Sequence, residues 1–324
     1  MLLVADIHLG IKGDDDLFLD QSKKLFVSMV EECIRRDTNE IIILGDFFDN
    51  RKSINVKTLN VAIDIVDMLK NNNINTFFII GNHDTYYRTE IKTNSIRMFK
   101  EYKNVTIVDS TMTIDRMGLV SWNQSTDANI DYLIGHFEIN GFPVTESIIF
   151  EKSNVSISDF QQYKRVISGH FHIPSTKDNI TYLGSPYQLT FNDTGSMRGF
   201  YSFNDGKLTF IEFTESIKFV NVYDDDKINP NDIKGNIVKL IFKKDHGYNE
   251  NQKIIDSIQS YEPVRFFTHF DVYREEVRER AQEMKDIKNS KDILFDFIKL
   301  YDNPSHINPE IMMNIVNELL EDVK

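Results

Sequence analysis

Five short strand-forming runs in this chain each lead into a polar island that carries aspartate, asparagine or histidine. Leu2 to Ala5 runs into Asp6-Ile7-His8, Glu40 to Leu44 into Gly45-Asp46-Phe47-Phe48-Asp49, and Thr76 to Ile80 into Gly81-Asn82-His83-Asp84. Tyr132 to Ile134 runs into Gly135-His136, and Arg165 to Ser168 into Gly169-His170-Phe171-His172. A sixth island, Gly184-Ser185-Pro186, comes after Ile180 to Leu183. One such island is weak evidence, because Gly-Asp after a strand is ordinarily a turn. Together, however, the islands hold five of the eight histidines. Carboxylate, amide and imidazole groups on neighbouring strand ends can converge on a pair of divalent cations, a standard device for attacking a phosphate ester.

The pattern between the islands sets the fold class. Leu25, Phe26, Met29, Val30, Cys33 and Ile34 repeat at helical spacing, as do Leu59, Ala62, Ile63, Val66 and Leu69. The continuous Ile-Ile-Ile-Leu of 41–44 suits a strand buried on both faces. This strand-helix rhythm predicts an α/β fold with a largely parallel sheet. From about Val105 short strands follow one another closely, which predicts a second sheet packed on the first, with helices on the outer faces. Residues 1–215 form this layered α/β/β/α sandwich in our expectation. Residues 216–275 form a small α+β domain, with strands at Ile237 to Phe242 and Val264 to Val272 and a helix near Ile254 to Ser260. Residues 276–292 are a charged linker, and 293–324 are a C-terminal helical tail, with Pro304 and Pro309 separating two amphipathic stripes.

Composition narrows the class of protein. No apolar run approaches the roughly 20 residues needed to span a bilayer, and the N-terminus has no basic segment before an apolar stretch, so neither a membrane span nor a leader is expected. The single cysteine, Cys33, sits on an apolar helix face. It reads as buried filler in a chain of the reducing cytoplasm. The net charge of −13 argues against a simple polyanion binder, although bound cations would neutralise several carboxylates.

The residue types suit a metal centre. Asp46 carries two oxygens and can bridge two cations. Asp6 and His8 are two apart at a strand exit, as are His170 and His172 around Phe171. Asn82 supplies a neutral oxygen and His136 an imidazole. Mixed oxygen and nitrogen ligands suit Mn²⁺, Fe²⁺ or Zn²⁺ better than Ca²⁺. The bland alternative for Asp49 is a turn cap before Asn50-Arg51, and Asp14-Asp15-Asp16 reads as a solvated loop.

The ordered set Asp-x-His, Gly-Asp-x-x-Asp, Gly-Asn-His-Asp, Gly-His and Gly-His-x-His resembles the calcineurin-like metallophosphoesterase superfamily over residues 1–215. Asp6-Ile7-His8-Leu9-Gly10, Gly45 to Asp49 and Gly184-Ser185-Pro186 resemble its SbcD-like branch, the nuclease subunits of double-strand-break repair complexes. The segment Gly135 to Phe142 looks like the tailed-phage form. The resemblance implies that Asp6, His8, Asp46 and His172 hold one metal and that Asp46, Asn82, His136 and His170 hold the other, with Mn²⁺ the expected ion. His83 would be the catalytic histidine, protonating the oxygen that departs when hydroxide attacks phosphorus in line. Some relatives carry a histidine three residues after the bridging aspartate. This chain has Asp49 there, and we expect it to orient His83 and raise its pKa.

The resemblance also implies DNA as substrate, cut at ends and in single strands, with a homodimer and a coiled-coil SbcC-like ATPase subunit as partners. The C-terminal helices would dock on that ATPase, and the small domain holds the position of a DNA-capping domain. Arg51, Lys52 and Lys57, with Tyr86, Tyr87 and Arg88, offer cationic and aromatic groups for a strand. A solvated loop with partly buried tyrosines is the alternative. Two other functions stay open: a phosphoesterase acting on a phosphoprotein or small phosphodiester, and a non-catalytic DNA-end scaffold.

Overall fold

The structure is a computed structural model that describes residues 1–145 and 147–271. The expected linker at 276–292 and helical tail at 293–324 lie outside the described residues. The chain divides into two compact units, the first Met1–Phe219 and the second beginning at Val220.

The first unit is built on two six-stranded sheets. In one, Lys207–Glu212, Gly199–Asn204, Leu2–Val4, Glu40–Leu44, Asn75–Ile79 and Val105–Val108 lie side by side, and the last four are mutually parallel. In the other the order is Ser175–Lys177, Ile180–Tyr182, Arg165–Gly169, Tyr132–His136, Met117–Val120 and Thr111–Ile114. Its inner four strands are parallel. The sheets pack face to face. Leu3, Ile42, Leu44, Ile79 and Val108 from the first meet Met117, Leu119, Ile134, Ile167 and Leu183 from the second in one buried cluster. Strands covered on both faces have no use for alternating polar residues, hence the unbroken apolar runs.

Parallel strands need long crossovers, and helices supply them. The helix Asp16–Arg35 is capped by the Asp15 side chain, which accepts from the Leu17 amide at 3.0 Å. It buries Leu25, Phe26, Met29 and the free Cys33. The helix Val56–Asn71 is capped by Asn55 and buries Ala62, Ile65, Val66 and Leu69. Asp14 accepts from Thr58 and Asp16 pairs with Lys57 at 2.6 Å, so the 14–16 run starts a helix and binds its neighbour. Over the outer face of the second sheet, the cover is a 3-10 turn at Ile157–Phe160 and loops that bring Ile139, Phe142 and Phe171 onto Val166, Ile180 and Tyr182. The two-stranded hairpin Pro143–Thr145 with Ile148–Ile149 had no clear period-2 signal in so short a stretch.

The second unit is a three-stranded sheet ordered Phe219–Tyr223, Ile237–Phe242, Arg265–Phe270. Its last two strands are parallel and joined through the helix Tyr248–Gln259. Val222, Ile233, Val238, Leu240, Phe242 and Ile258 form its own core. Among the described residues no helix is long and apolar enough to cross a membrane.

The core under the second and third strands is aromatic. Phe78 is fully buried, with its ring 5.3 Å from Phe47 and 5.9 Å from Phe99. A Phe78→Ala variant should lose about 3–5 kcal/mol of stability, read by urea unfolding, because the rings around the void have little room to collapse.

Candidate metal centre

Every island sits at the carboxyl end of a strand, and the strand register aligns those ends. Val4 pairs with Ile43, Leu44 with Ile79, and His136 with Gly169. Past the sheet edge the first two loops keep running in parallel. The His8 amide donates to Asp46 O at 3.0 Å, Leu9 to Phe47 O at 2.8 Å, and Asp49 to Leu9 O at 3.0 Å. The two sheets are joined at the site itself, where His136 Nδ1 donates to Leu44 O at 2.7 Å. Gly81 has no alternative: a Cβ there would stand 2.2 Å from both the amide and the carboxylate of Asp46.

All seven residues expected to hold metal converge. Asp6, His8 and His172 form one group whose donor atoms lie within 4.8 Å of one another, and Asp46, His136 and His170 form another. Asp46 Oδ2 lies 3.8 Å from His8 Nε2 and 3.4 Å from His136 Nε2, so one carboxylate stands between both groups. Asn82 Oδ1 lies 2.9 Å from His136 Nε2 and 2.8 Å from His170 Nδ1. The Nε2 atoms of His8 and His172 face each other at 2.9 Å. Asp6, His8, Asp46 and His170 all hold positive φ, between 49° and 98°. Such backbone is costly away from glycine and gathers at functional sites.

The donor set fits a pair of cations on two independent grounds. Asp6 and Asp46 are fully buried, and among the described residues no lysine or arginine pairs with either. Buried charge of this kind is balanced by a partner or a metal. Burial pushes the Asp6 carboxyl up to about 7, opposed by His136 and reinforced by Asp46. Burial would lower His136, but Asp46 beside it overrides this and carries the imidazole up to about 9. The Asp46 charge thus favours a proton on His136, whereas burial outweighs it at His83, His170 and His172. His172 is held down to about 3 by burial and by His8, which leaves it neutral and able to ligate. The second ground is the outer ring of partners. His8 Nδ1 faces Asp49 Oδ1 at 3.1 Å, His136 Nδ1 donates to Leu44 O, and His170 Nε2 faces Glu138 Oε1 at 3.3 Å. Metal-binding histidines fix their other nitrogen in this way.

Asp49 departs from expectation. Its carboxylate pairs with His8, and its main-chain carbonyl accepts from His83 Nδ1 at 2.6 Å. Burial lowers the His83 pKa, where the sequence suggested a rise. The carboxylate turns inward because the Asp49 amide is tied to Leu9, beside His8. His83 itself lies within 4.8 Å donor reach of His8 and Asp46. Of the basic strip, Lys57 is engaged by Asp16. Tyr86 and Tyr87 are about half exposed, with rings 4.8 Å apart, and Trp122 Nε1 ties down the Arg88 carbonyl at 3.2 Å.

Three contributors escaped sequence reasoning. Glu138 stands in the same run as His136, but nothing in the spacing reveals its reach to His170. Trp122 leans on the His170 ring at 5.2 Å. Asp84 was visible as the fourth residue of its island. Fully buried, it accepts from the Phe48 amide at 3.1 Å and the Gly81 amide at 2.9 Å, clamping two ligand loops together. Among the described residues no further group of metal donors occurs, and His246 and His269 pair with Asp224 and Asp271.

A family model for calcineurin-like phosphoesterases matches residues 1–174. The chain belongs to that family. This phosphoesterase is 33% identical over 220 residues to exonuclease subunit 1 of Enterobacteria phage T4, a match covering 63% of this chain and 64% of that one. The chain therefore spans less than two thirds of that relative's length. It is 21% identical over 286 residues to the DNA double-strand break repair protein Mre11 of Nanoarchaeum equitans, covering 77% of each. Against the crystal structure of Pseudomonas putida nuclease MPE the identity is 18%, over 56% of this chain and 71% of that chain, with a TM-score of 0.30.

Removing the Asp84 carboxylate strands two buried amides. Asp84→Ala should cost roughly 1–3 kcal/mol for each unsatisfied donor, read by thermal unfolding of the metal-free protein, and should weaken Mn²⁺ binding in a calorimetric titration.

Proposed function

We propose that this phosphoesterase is the metal-dependent nuclease subunit of an SbcD-like complex, cleaving DNA phosphodiester bonds at ends and in single strands. The observation that carries the proposal is the shared carboxylate: Asp46 stands between two groups of buried donors, with His83 at their edge. Asp6, His8, Asp46 and His172 would hold one ion and Asp46, Asn82, His136 and His170 the other, Mn²⁺ being the ion we assign to this oxygen–nitrogen set. Two bound cations would supply a water of lowered pKa and neutralise charge on the phosphate.

The chain's own residues do the rest. Asp46 is fixed by the His83 amide, which donates to Oδ1 at 2.7 Å, so the loop of the bridge and the loop of the catalytic histidine are tied to each other. With Nδ1–H held by the Asp49 carbonyl, His83 would present Nε2 to a departing oxygen and, as the imidazolium that the Asp46 charge and the Asp49 carbonyl favour against burial, would donate a proton there. Asp49 is thus a positioning residue for two histidines, orienting His8 by its carboxylate and His83 by its main chain. Arg51 is near enough for its charge to act on His83, and its guanidinium is of the type that pairs with a phosphate.

DNA as the substrate is supported by the names of the two relatives, an exonuclease subunit and a double-strand break repair protein. The word subunit in the first name supports a partner, and the assignment of a coiled-coil SbcC-like ATPase and a homodimer rests on the resemblance alone. We extend the proposal to the layout of a nuclease domain, a small capping domain at about 216–275 and a partner-binding tail.

Purified full-length protein with Mn²⁺ should cleave end-labelled duplex and single-stranded DNA, and EDTA should abolish cleavage. His83→Ala should lower turnover roughly 10²–10⁴-fold while still binding two Mn²⁺ ions per chain. Loss of an ion in that variant would make His83 a ligand. Cleavage of an aryl phosphodiester with no DNA cleavage, even with the ATPase partner and ATP, would move the substrate to a small phosphodiester.

A further inference from the structure

The island Gly184-Ser185-Pro186 supplies no donor to the metal groups, yet it is the centre of a buried network. The turn is built for close approach: Gly184 has φ 73°, and a Cβ there would stand 2.6 Å from Pro174. Ser185 is buried, and its amide donates to the carbonyl of His172 at 3.1 Å. The same carbonyl accepts from Arg198 Nη1, which also donates to Ser185 Oγ at 3.1 Å. Ser185 Oγ in turn donates to Tyr187 O at 3.0 Å. Arg198 is buried to 3% exposure, and its other donors go to Ser196 Oγ and the Asp193 carboxylate.

The network then crosses to the other sheet. The Tyr187 hydroxyl donates to the carbonyl of Ile7, between Asp6 and His8, and stands 2.8 Å from Ser22 Oγ on the first helix. Arg198 directly precedes the strand Gly199–Asn204, which pairs with Leu2–Val4 through Leu2–Ser202 and Leu3–Tyr201. One cluster therefore grips the main chain of His172 on one side and of Ile7 on the other. These are the two loops whose histidines face each other at 2.9 Å. His136 and His170 take their outer partners from Leu44 and Glu138 and receive nothing from this cluster.

We propose that the 184–187 turn with Arg198 is a positioning brace that sets the affinity of the ion held by Asp6, His8, Asp46 and His172, and leaves the other ion untouched. The proposal rests on the two-ion reading above. Its physical basis is that a held carbonyl restricts ψ of its own residue and φ of the next: two donors on the His172 carbonyl restrict ψ of His172, and the Tyr187 hydroxyl on the Ile7 carbonyl restricts φ of His8, so both imidazoles are preorganised before the ion arrives. Losing such support typically weakens metal binding roughly 10–100-fold. Both ends of this brace act on the same ion.

Metal-free full-length protein titrated with Mn²⁺ by calorimetry tests this. Arg198→Ala would leave buried partners unpaired and endanger folding, so Tyr187→Phe and Ser185→Ala, which keep shape, carry the experiment. Glu138→Gln marks the other ion through His170. The wild-type chain should bind two ions. Each brace variant should raise one dissociation constant roughly 10–100-fold and leave the other unchanged, and Glu138→Gln should raise the one the brace leaves alone. Equal weakening of both ions, no change in either, or brace variants and Glu138→Gln weakening the same ion would overturn the brace. A wild-type chain that binds fewer than two ions would overturn the two-ion reading and the brace with it.

Discussion

The structure turns on two buried carboxylates that, among the described residues, have no lysine or arginine partner. Asp46 and Asp6 sit where two sheets meet, walled by histidines and by the ends of apolar strands. Leaving ionised oxygens in such a place costs several kcal/mol per charge unless something positive joins them. Asp46 pushes His136 up, so that imidazole can offer part of the balance, but a proton on an imidazole is a poor substitute for a divalent ion coordinated by the same atoms. The whole upper edge of the sandwich is organised so that an ion can take the protons' place.

That edge is rigid because main chain holds it. Asp84 ties the second and third loops through two amides, and the Asp49 carbonyl aims His83. The Leu44 carbonyl aims His136 across the gap between sheets. Asp6, His8, Asp46 and His170 adopt left-handed backbone, a conformation tolerated only where neighbours over-determine it. A centre of this kind needs little rearrangement when it binds, which is what a catalytic site dealing with developing charge requires.

Much of the fold was legible before any coordinates. Uninterrupted apolar runs such as Ile41 to Leu44 declared strands buried on both faces, and the 3.6-residue spacing of Leu25 to Ile34 declared a crossover helix. Those signals are strong because burial on a sheet and on a helix face imposes different periods on the chain. The hairpin at 143–149 and the short strand Ser175–Lys177 were not legible, since two or three residues carry no period. Over the second sheet the cover is the 3-10 turn Ile157–Phe160 together with loops whose apolar residues, Phe142 and Phe171 among them, follow no regular spacing.

By itself the sequence determined which side chains meet at the centre, since a strand end can place a polar residue in only one region of a parallel sheet. It did not determine which atom of each residue does the work. Asp49 was matched to His83 by position, but the pairing of the first two loops turns its carboxylate to His8 and leaves only its carbonyl for His83. Glu138, Arg198 and Tyr187 became parts of the site only through contacts between residues 32, 26 and 180 positions apart in the chain. Contacts at such separation leave no local pattern in sequence. Glu138 meets His170 because their strands are neighbours in one sheet, and the other two contacts exist because two sheets close on each other, which the tertiary structure alone decides.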